Sequence, residues 1–327
     1  MFLSFMFASE EEMGYDPFVT RCEDGQSYIY QIGVKGEVQF FKTVGLLAEY
    51  RFLCITGRHT RVWEVKEYDL TNQTVTGDCT MALKDLWLDE GAQMERNIQK
   101  DIFKSIHDFV MSSWDQHPCL QDFRPEMKDQ FKDALHGEKY KKYFLHIECD
   151  YQGKTSKSVA PSAHQQLDLF SLPIPSSCPS SPGFGDPNRI VDMQFLVPAT
   201  YKNRRYVSKR QYRLVYKEVC VALHDLDSLH DVLNVLGDCL VGRLGFFISL
   251  PVLKPALALQ LLYCAGWVHR DISSGNVLAF TASGTNPLQG KLSDLEYAKI
   301  FPSTTASPDP KTVSISLLSI VSYPLCA

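Results

Sequence analysis

The predicted fold of this chain rests on Gly266-Trp267-Val268-His269-Arg270-Asp271-Ile272-Ser273-Ser274-Gly275-Asn276-Val277-Leu278. This stretch follows a segment predicted to be an apolar helix and ends in a short apolar run, so its polar centre is expected to be a loop. Asp271 and Asn276 stand five residues apart on that loop. A carboxylate at the first position can take the proton of an attacking hydroxyl, and an amide oxygen at the second can bind a magnesium ion. The alternative is an ordinary polar loop in which Asn276 is a turn residue.

A second motif, Lys291-Leu292-Ser293-Asp294-Leu295-Glu296, places Asp294 just after a predicted short strand, eighteen residues beyond Asn276. Together the two motifs match the catalytic loop and the metal-binding aspartate of protein kinases, with Leu295-Glu296 in place of Phe-Gly. In such a site this carboxylate holds the metal that bridges the β- and γ-phosphates of the nucleotide. Taken alone, Asp294 could equally be an exposed turn residue. The pair of motifs predicts a phosphoryl-transfer site.

Further upstream, Ala82-Leu83-Lys84 is predicted to end a strand, where a lysine can contact the α- and β-phosphates of a nucleotide. Glu95 is predicted to be its ion-pair partner on the next helix, at the edge of the apolar face. The alternative for Glu95 is a solvated position on that helix. The helix is predicted to extend to about Ser113, because apolar residues recur every four positions at Met94, Ile98, Ile102 and Ile106.

The predicted phosphate-binding loop is Gly57-Arg58-His59-Thr60-Arg61-Val62-Trp63, which lies between two predicted strands and ahead of Lys84. Gly57, Thr60 and Val62 are therefore candidate nucleotide-binding residues. Gly57 is the one glycine present where a glycine-rich loop has three, so the backbone there has less freedom to approach a phosphate. We predict that His59 is a surface loop residue.

The order of predicted elements indicates an α+β protein with two lobes. Short runs of alternating polar and apolar residues in 28–70, among them 52–55, predict an antiparallel sheet, and further strands are predicted at 81–84 and 212–216. Helices are predicted at 125–143 and from about residue 227, and an unstructured Ser/Pro-rich insertion at 152–188. The resulting division is an N-lobe of residues 10–218, a partial C-lobe of residues 219–312 and an unrelated apolar tail of residues 313–327.

Composition excludes several classes of protein. The chain has 327 residues, of which 45% are apolar and 22% charged, so it is not collagen-like, fully disordered or a coiled coil. With 33 basic against 38 acidic side chains its net charge is −5, which predicts no general nucleic-acid binding. The ten cysteines are scattered, which excludes the paired spacing of a zinc site and predicts reduced thiols in an intracellular protein, cytoplasmic or nuclear.

Three further segments bear on location and partners. The apolar run 1–9 is too short for a secretory signal, and three glutamates follow it at once. The apolar stretch 244–268 is split by Lys254-Pro255, so it is predicted to be a buried helix and no membrane partner is expected. Residues 201–217 carry seven basic residues and no acidic one, which favours a solvated sheet edge over a site for an acidic partner.

The motifs above resemble the fungal-type protein kinase family. The resemblance extends over about residues 10–312, and its most specific stretches are Trp267-Val268-His269-Arg270-Asp271-Ile272-Ser273 and Asp294-Leu295-Glu296-Tyr297-Ala298. Supporting matches are Gly14-Tyr15-Asp16-Pro17, Thr60-Arg61-Val62-Trp63 and Leu83-Lys84-Asp85-Leu86-Trp87.

The resemblance implies a bilobal protein kinase that binds ATP with Mg²⁺ between its lobes and phosphorylates serine or threonine in a protein substrate. Lys84, paired with Glu95, would orient the phosphates, while Asn276 and Asp294 would hold Mg²⁺. Asp271 would accept the hydroxyl proton and Arg270 would brace the loop. Ser273 stands where many serine/threonine kinases carry a lysine, so the charge of the γ-phosphate must be neutralised elsewhere.

The resemblance breaks at 243–259 and after Thr312. Only 31 residues follow Glu296, where a kinase needs an activation segment and further helices, so we expect the C-lobe to be incomplete. Our hypothesis is that the reading frame enters unspliced sequence at Val313 and across 243–259. Two other functions stay open: a non-catalytic pseudokinase that binds a nucleotide or a partner, and a small-molecule phosphotransferase.

Overall fold

The computed structural model describes residues 6–34, 36–49, 59–112, 114–117, 120–121, 125–156, 208–239, 257–281 and 288–301. Five predicted features lie wholly or largely outside these residues: Gly57, the strand at 52–55, the insertion from residue 157, the stretch 243–256 and the tail 313–327.

Antiparallel strands form one large sheet. Its spatial order is β1-β2-β3-β4-β6-β8-β7, and β5 pairs with β4. β-branched and aromatic residues are frequent along these segments, as is usual for strands, and the central strands β6 and β8 are buried on both faces. The strands are β1 (Val19–Arg21), β2 (Tyr28–Val34), β3 (Glu37–Glu49), β4 (Arg61–Asp69), β5 (Thr74–Val75), β6 (Met81–Asp89), β7 (Ile147–Thr155) and β8 (Lys209–Tyr216).

The two faces of the sheet pack in different ways. One face carries an apolar cluster that includes Leu83 and Val215, and the sheet curves over it until the ring of Phe18 lies 5.7 Å from that of Tyr151 in β7. The opposite face carries a second cluster that includes Ala82. Successive residues of β6 point to opposite faces, as the alternation of a strand requires. The strand therefore places Lys84 on the same face as Ala82.

The helices build a separate core that contains the apolar side of α1. Ile98, Ile102 and Ile106 are at most 2% exposed, as their four-residue spacing predicts. Each such side chain contributes about 1.5–3 kcal/mol on burial. The helices are α1 (Glu95–Met111), α2 (Pro125–Leu135), α3 (Leu229–Cys239) and α4 (Leu257–Cys264).

The five remaining strands are short and lie beside these helices. They are β9 (Val221–Ala222), β10 (Trp267–Val268), β11 (Val277–Phe280), β12 (Gln289–Leu292) and β13 (Lys299–Ile300). They form a three-stranded sheet in the order β12-β11-β9 and a two-stranded sheet of β10 and β13. α3 crosses β12 at Gly290, where a Cβ atom would stand 2.6 Å from the Cβ of Asp238. Glycine at this position allows the helix to approach the strand.

Several predicted boundaries differ from the structure. The strand predicted over 81–84 continues to Asp89, so Lys84 lies in its middle rather than at its end. The helix predicted over 125–143 ends at Leu135, because the backbones of Gly137 and Glu138 are left-handed, and a 3₁₀ segment, His136–Tyr143, follows. β7 continues to Thr155, so residues 152–155 belong to the sheet rather than to the predicted insertion. In the apolar stretch 244–268, the described helix ends at Cys264 and the chain continues as β10.

The prediction of a solvated basic edge is wrong for β8. This strand lies inside the sheet, between β6 and β7, and Arg213 is fully buried. The Arg213 guanidinium pairs with Asp16, which precedes β1, and with Asp85 of β6. Distant carboxylates thus neutralise a charge that has no acidic neighbour in its own segment.

Among the helices within the described ranges, none is long and apolar enough to cross a membrane.

Candidate active site

Lys84 is the centre of the candidate site. It lies in the middle of β6, where Val62 of β4 and Leu214 of β8 are its neighbours across the sheet. Its residue is 7% exposed, and its Nζ lies 3.0 Å from Oε2 of Glu95 and 2.8 Å from Oδ1 of Asp294. A strand, a helix and a segment that is 210 residues away in sequence therefore meet at one ammonium group.

The charge of Lys84 is stabilised despite its burial. Burial by itself lowers the pKa of a lysine, but the carboxylates of Asp294 and Glu95 outweigh it and hold the pKa of Lys84 well above its ordinary value. The ammonium is thus positive throughout the neutral pH range. A buried ion pair gives little net stability compared with apolar residues of similar size, so stability alone does not explain the presence of this pair.

Glu95 connects α1 to two other elements. It lies in the first turn of the helix and is 2% exposed, so the solvated alternative for this residue is wrong. Its Oε2 accepts the hydrogen bond from Lys84, and its Oε1 accepts one from the backbone N–H of Leu295 at 3.2 Å. Tyr216 is buried nearby, where burial raises the pKa of its hydroxyl and the charge of Glu95 raises it further. Tyr216 therefore presents a neutral hydroxyl, although no motif in the sequence points to it.

The backbone at Asp294 turns sharply. Its φ of 59° and ψ of 55° are left-handed, a region that a non-glycine residue seldom adopts. A 3₁₀ turn, Leu295–Tyr297, follows, and the side chain of Leu295 is 1% exposed in the helical core. This turn separates the two side chains: Leu295 anchors the segment in the core, while Asp294 faces Lys84. Such backbone strain is typical of functional sites.

The loop around Asp271 is held by short-range hydrogen bonds. The backbone N–H of Asp271 donates to Nδ1 of His269 at 3.3 Å. Nδ2 of Asn276 donates to the backbone oxygen of Asp271 at 2.9 Å and to its Oδ2 at 3.3 Å. These contacts explain the five-residue spacing, because the amide closes the loop onto the carboxylate.

Ser293 joins this loop to the segment of Asp294. Its backbone N–H and its hydroxyl both donate to the backbone oxygen of Asn276, at 3.0 Å and 3.1 Å. Nε2–H of His269 donates to the backbone oxygen of Ser293 at 2.9 Å. Burial lowers the pKa of His269, so its imidazole is neutral and one nitrogen donates while the other accepts. The two motifs that predicted the site are therefore directly connected.

Apolar residues lie on the sheet face beside Lys84. Ala82 is buried there, and Val62, Val219 and Leu278 are partly buried against the same cluster. Val62 was predicted from the sequence, whereas Val219 and Leu278 were not. Leu278 comes two residues after Asn276, so its place in the known loop was the available signal for it.

The other predicted residues are less tightly connected. Thr60 is half-buried just before β4, and the nucleotide-binding role of Thr60 and Gly57 stays a prediction. Arg270 is half-buried with a φ of 69°, and its side chain makes no hydrogen bond or ion pair with another residue that the structure describes. Its bracing role also stays a prediction.

The oxygen atoms that could hold a metal are few. Asp294 offers a carboxylate and Asn276 an amide oxygen, which are ligands that Mg²⁺ accepts. Over the described ranges, no group of three or more His, Cys, Asp or Glu residues is arranged to hold a metal. A pair of this kind suits Mg²⁺ that arrives with phosphate groups, because such a site uses one or two protein ligands and completes the shell with phosphate and water.

Comparison with known families agrees with this geometry. The model of a family described as fungal protein kinase matches residues 1–320. The chain belongs to the fungal protein kinase family. No curated protein matches the chain. In this fungal protein kinase, the match covers the strand of Lys84, the helix of Glu95, the loop of Asp271 and the segment of Asp294.

Proposed function

We propose that this fungal protein kinase binds ATP with Mg²⁺ between a sheet lobe and a helical lobe and transfers the γ-phosphoryl group to serine or threonine in a protein substrate. One observation carries the proposal: Lys84 contacts Glu95 and Asp294 at the same time. That contact brings the phosphate-binding cation and the metal-binding carboxylate to within 2.8 Å of each other.

Lys84 binds the phosphates in this proposal, and Glu95 holds the lysine in place. Val62 is the neighbour of Lys84 across the sheet, and Val219 and Leu278 pack with it against the apolar cluster on the face that carries the lysine. A flat, apolar base can pack on such a surface while its phosphates extend toward the ammonium. The apolar surface would thus bind the base of the nucleotide, and the ammonium of Lys84 would bind its phosphates.

Asp294 and Asn276 fit a magnesium ion by the chemistry of their oxygen atoms. When bound, Mg²⁺ neutralises the charge that develops on the β- and γ-phosphates. Nδ2 of Asn276 is used within the loop, so Oδ1 is the atom of that amide with the chemistry to bind the ion. The left-handed backbone of Asp294 keeps its carboxylate on the side of Lys84.

Asp271 serves as the proton acceptor. It takes the proton of a serine or threonine hydroxyl as the hydroxyl oxygen attacks the γ-phosphorus and the bond to the β–γ bridging oxygen breaks, which releases ADP. Its carboxylate is half-buried and is oriented by Asn276, while its backbone is oriented by neutral His269. Catalysis in this proposal consists of positioning and charge stabilisation.

The test is Mg²⁺-dependent transfer of labelled γ-phosphate from ATP to a mixture of casein and histones by the full chain. We expect transfer to serine and threonine, detected by phosphoamino-acid analysis, and a loss of about 10²-fold or more in Asp271→Asn. Asp133→Asn is the matched control, since this exposed residue on α2 undergoes the same substitution and pairs with Lys139 rather than with a residue of the site. Its activity should equal that of the unmodified chain.

Other results would replace the proposal. Nucleotide binding in a thermal-shift assay without any transfer would favour the pseudokinase. Transfer to a sugar or an aminoglycoside but not to protein would favour the small-molecule phosphotransferase. Equal activity of Asp271→Asn and the unmodified chain would refute the role of Asp271 in either reaction.

A further inference from the structure

Lys291, on β12, is a second buried lysine and precedes Asp294 by three residues. It is 4% exposed. Its ammonium donates to the backbone oxygens of Lys142 and Phe144, at 3.0 Å and 3.1 Å, and to Oε1 of Glu218 at 2.9 Å. A lysine ammonium has three donors, so every one of them is used. Here these four residues are called the Lys291 joint.

The Lys291 joint connects segments that are distant in sequence. Glu218 follows β8, and its second oxygen, Oε2, accepts a hydrogen bond from the backbone N–H of His146 at 2.9 Å. The backbone N–H of Lys217 donates to the oxygen of His146, also at 2.9 Å. Phe144 forms a parallel bridge with Leu292, the residue after Lys291. The ends of two sheet strands are therefore tied to β12.

The segment that carries Asp294 is consequently held on both sides. Before it, Lys291 is fixed by the joint, and the backbone N–H of Gly290 donates to Oδ2 of Asp238 on α3 at 2.8 Å. After it, the backbone N–H of Leu295 donates to Glu95 at 3.2 Å. Asp294 lies between these fixed points, in a left-handed conformation that needs support from its surroundings.

Stability alone does not account for the Lys291 joint. Removing two charges from water costs several kcal/mol per ion, and an apolar pair of the same volume is often as stable or more stable. Unlike an apolar contact, a hydrogen-bonded ion pair requires a defined geometry. The three hydrogen bonds of Lys291 therefore specify where β12 lies relative to the ends of β7 and β8. The position of β12 in turn sets that of Asp294.

We propose that Lys291 and Glu218 are positioning residues that place Asp294 against Lys84, and thereby set the affinity of the site for Mg²⁺ with nucleotide. This inference rests on the proposed function, in which Asp294 binds the metal. Neither residue contacts the substrate in the proposal. They act through the backbone from Lys291 to Asp294, as outer residues that orient metal ligands do in other metal sites.

The test measures how much Mg²⁺ is needed for binding of a fluorescent ATP analogue, at a temperature where every variant is folded. In Lys291→Met we expect the half-saturating Mg²⁺ concentration to rise by about 10- to 100-fold, the usual cost of losing an outer residue of a metal site. Glu218→Gln should cause a smaller rise, because it keeps the size of the side chain and loses the charge. The double variant should resemble Lys291→Met, since both changes break one unit.

Lys209→Met is the control, because it removes a lysine that pairs with Asp89 on the sheet away from β12. It should keep the Mg²⁺ requirement of the unmodified chain. Lys291→Arg, which retains the charge and the donors, should restore most of the affinity. The proposal also predicts that kcat falls with the Mg²⁺ affinity, while KM for the protein substrate is unchanged.

A folded Lys291→Met with a lower melting temperature but an unaltered Mg²⁺ requirement would overturn the inference and leave the joint a purely structural contact. If this variant does not fold, Glu218→Gln decides by the same criterion. Absence of nucleotide binding by the unmodified chain refutes the proposed function, and the inference with it. Normal binding by that chain, with no change in the variants, refutes the inference alone.

Discussion

Two buried cations lie on opposite faces of one sheet. Lys84 belongs to β6 and Arg213 to the neighbouring strand β8, and each pairs with two carboxylates. The strand register places Asp85, the residue after Lys84, directly opposite Arg213. Burial and charge are thus almost the same at the two positions. Their partners differ.

Arg213 pairs with Asp85 of the sheet itself and with Asp16, just before β1, and its guanidinium lies 5.1 Å from the centre of the Tyr30 ring. This cluster ties β6, β8 and the segment just before β1 together. The partners of Lys84 come instead from a helix and from the segment after β12. Burial of a charge by itself therefore does not identify a functional residue. What distinguishes Lys84 is the kind of element that meets it, since its partners lie on a helix and on the segment after β12 rather than in the sheet or just before it.

The largest expected effect on stability comes from Arg213→Met. Removing one partner of a buried ion pair leaves the other charges uncompensated, which costs about 3–5 kcal/mol of unfolding free energy. Urea unfolding measures this loss, and activity per folded molecule should stay close to that of the unmodified chain. Lys209→Met, which removes a more exposed ion pair, should cost less than about 1 kcal/mol. A stable Arg213→Met protein that no longer binds nucleotide would show that Arg213 is needed for function, contrary to the structural role assigned to it here.

Lys84→Met should show the opposite pattern. We expect phosphate transfer to fall by about 10²- to 10³-fold, as for loss of one electrostatic stabiliser of a transition state. The loss of unfolding free energy should be smaller than in Arg213→Met, because Glu95 keeps the hydrogen bond from Leu295. Initial rates and urea unfolding on the same preparations check both statements. Full activity in Lys84→Met would remove this residue from the site.

The smallest expected effect is a difference in pH dependence. Burial lowers the pKa of His269, so the folded protein keeps it neutral while the unfolded chain takes up a proton below about pH 6.5. Its contribution to stability is present above that pH and is lost as the pH falls, by at most about 1.4 kcal/mol per pH unit. The contribution of Asp85, which pairs with Arg213, changes with pH in the opposite direction, because burial raises the pKa of Asp85 and favours its protonated form in acid.

Unfolding free energies at about pH 7 and about pH 5.5 test this, since His269→Gln should have a shallower slope than the unmodified chain. The same measurement on Asp85→Asn, extended to about pH 4, should give a steeper fall toward acid, because proton uptake by the folded-state Asp85 no longer offsets it. Equal slopes in all three proteins would show that neither group titrates differently in the folded and unfolded states.

The local parts of the site could be predicted because their signals lie within a few residues. The spacing of Asp271 and Asn276 reflects a hydrogen bond that closes one short loop. The four-residue period of α1 located its buried side, and it put Glu95 at the edge of that side, from which it reaches Lys84. Alternation along β6 likewise decides which of its residues share the face of Lys84.

The contacts of Arg213 and Lys291 could not be predicted in this way. Both lie in strands, and the nearest acidic residues along the chain do not reveal their partners. The prediction of a solvated edge for the basic stretch that contains Arg213 is wrong for this reason. In the folded chain Arg213 meets Asp16, and Lys291 meets Glu218, 197 and 73 positions away in sequence. Tyr216 was missed for the same reason, since its neighbour Glu95 is on another element.

Sequence patterns were enough to find the kinase-like motifs, the strands and helices with a clear period, and the residues around which phosphoryl transfer can be proposed. Which buried charges pair, which face of the sheet carries the candidate site, and how β12 is held beside it became visible in the folded chain. The difference comes from the distance along the chain over which each kind of interaction acts. Periodicity and loop closure act between near neighbours, whereas an ion pair forms wherever the fold brings opposite charges within a few ångströms, and that depends on the whole chain.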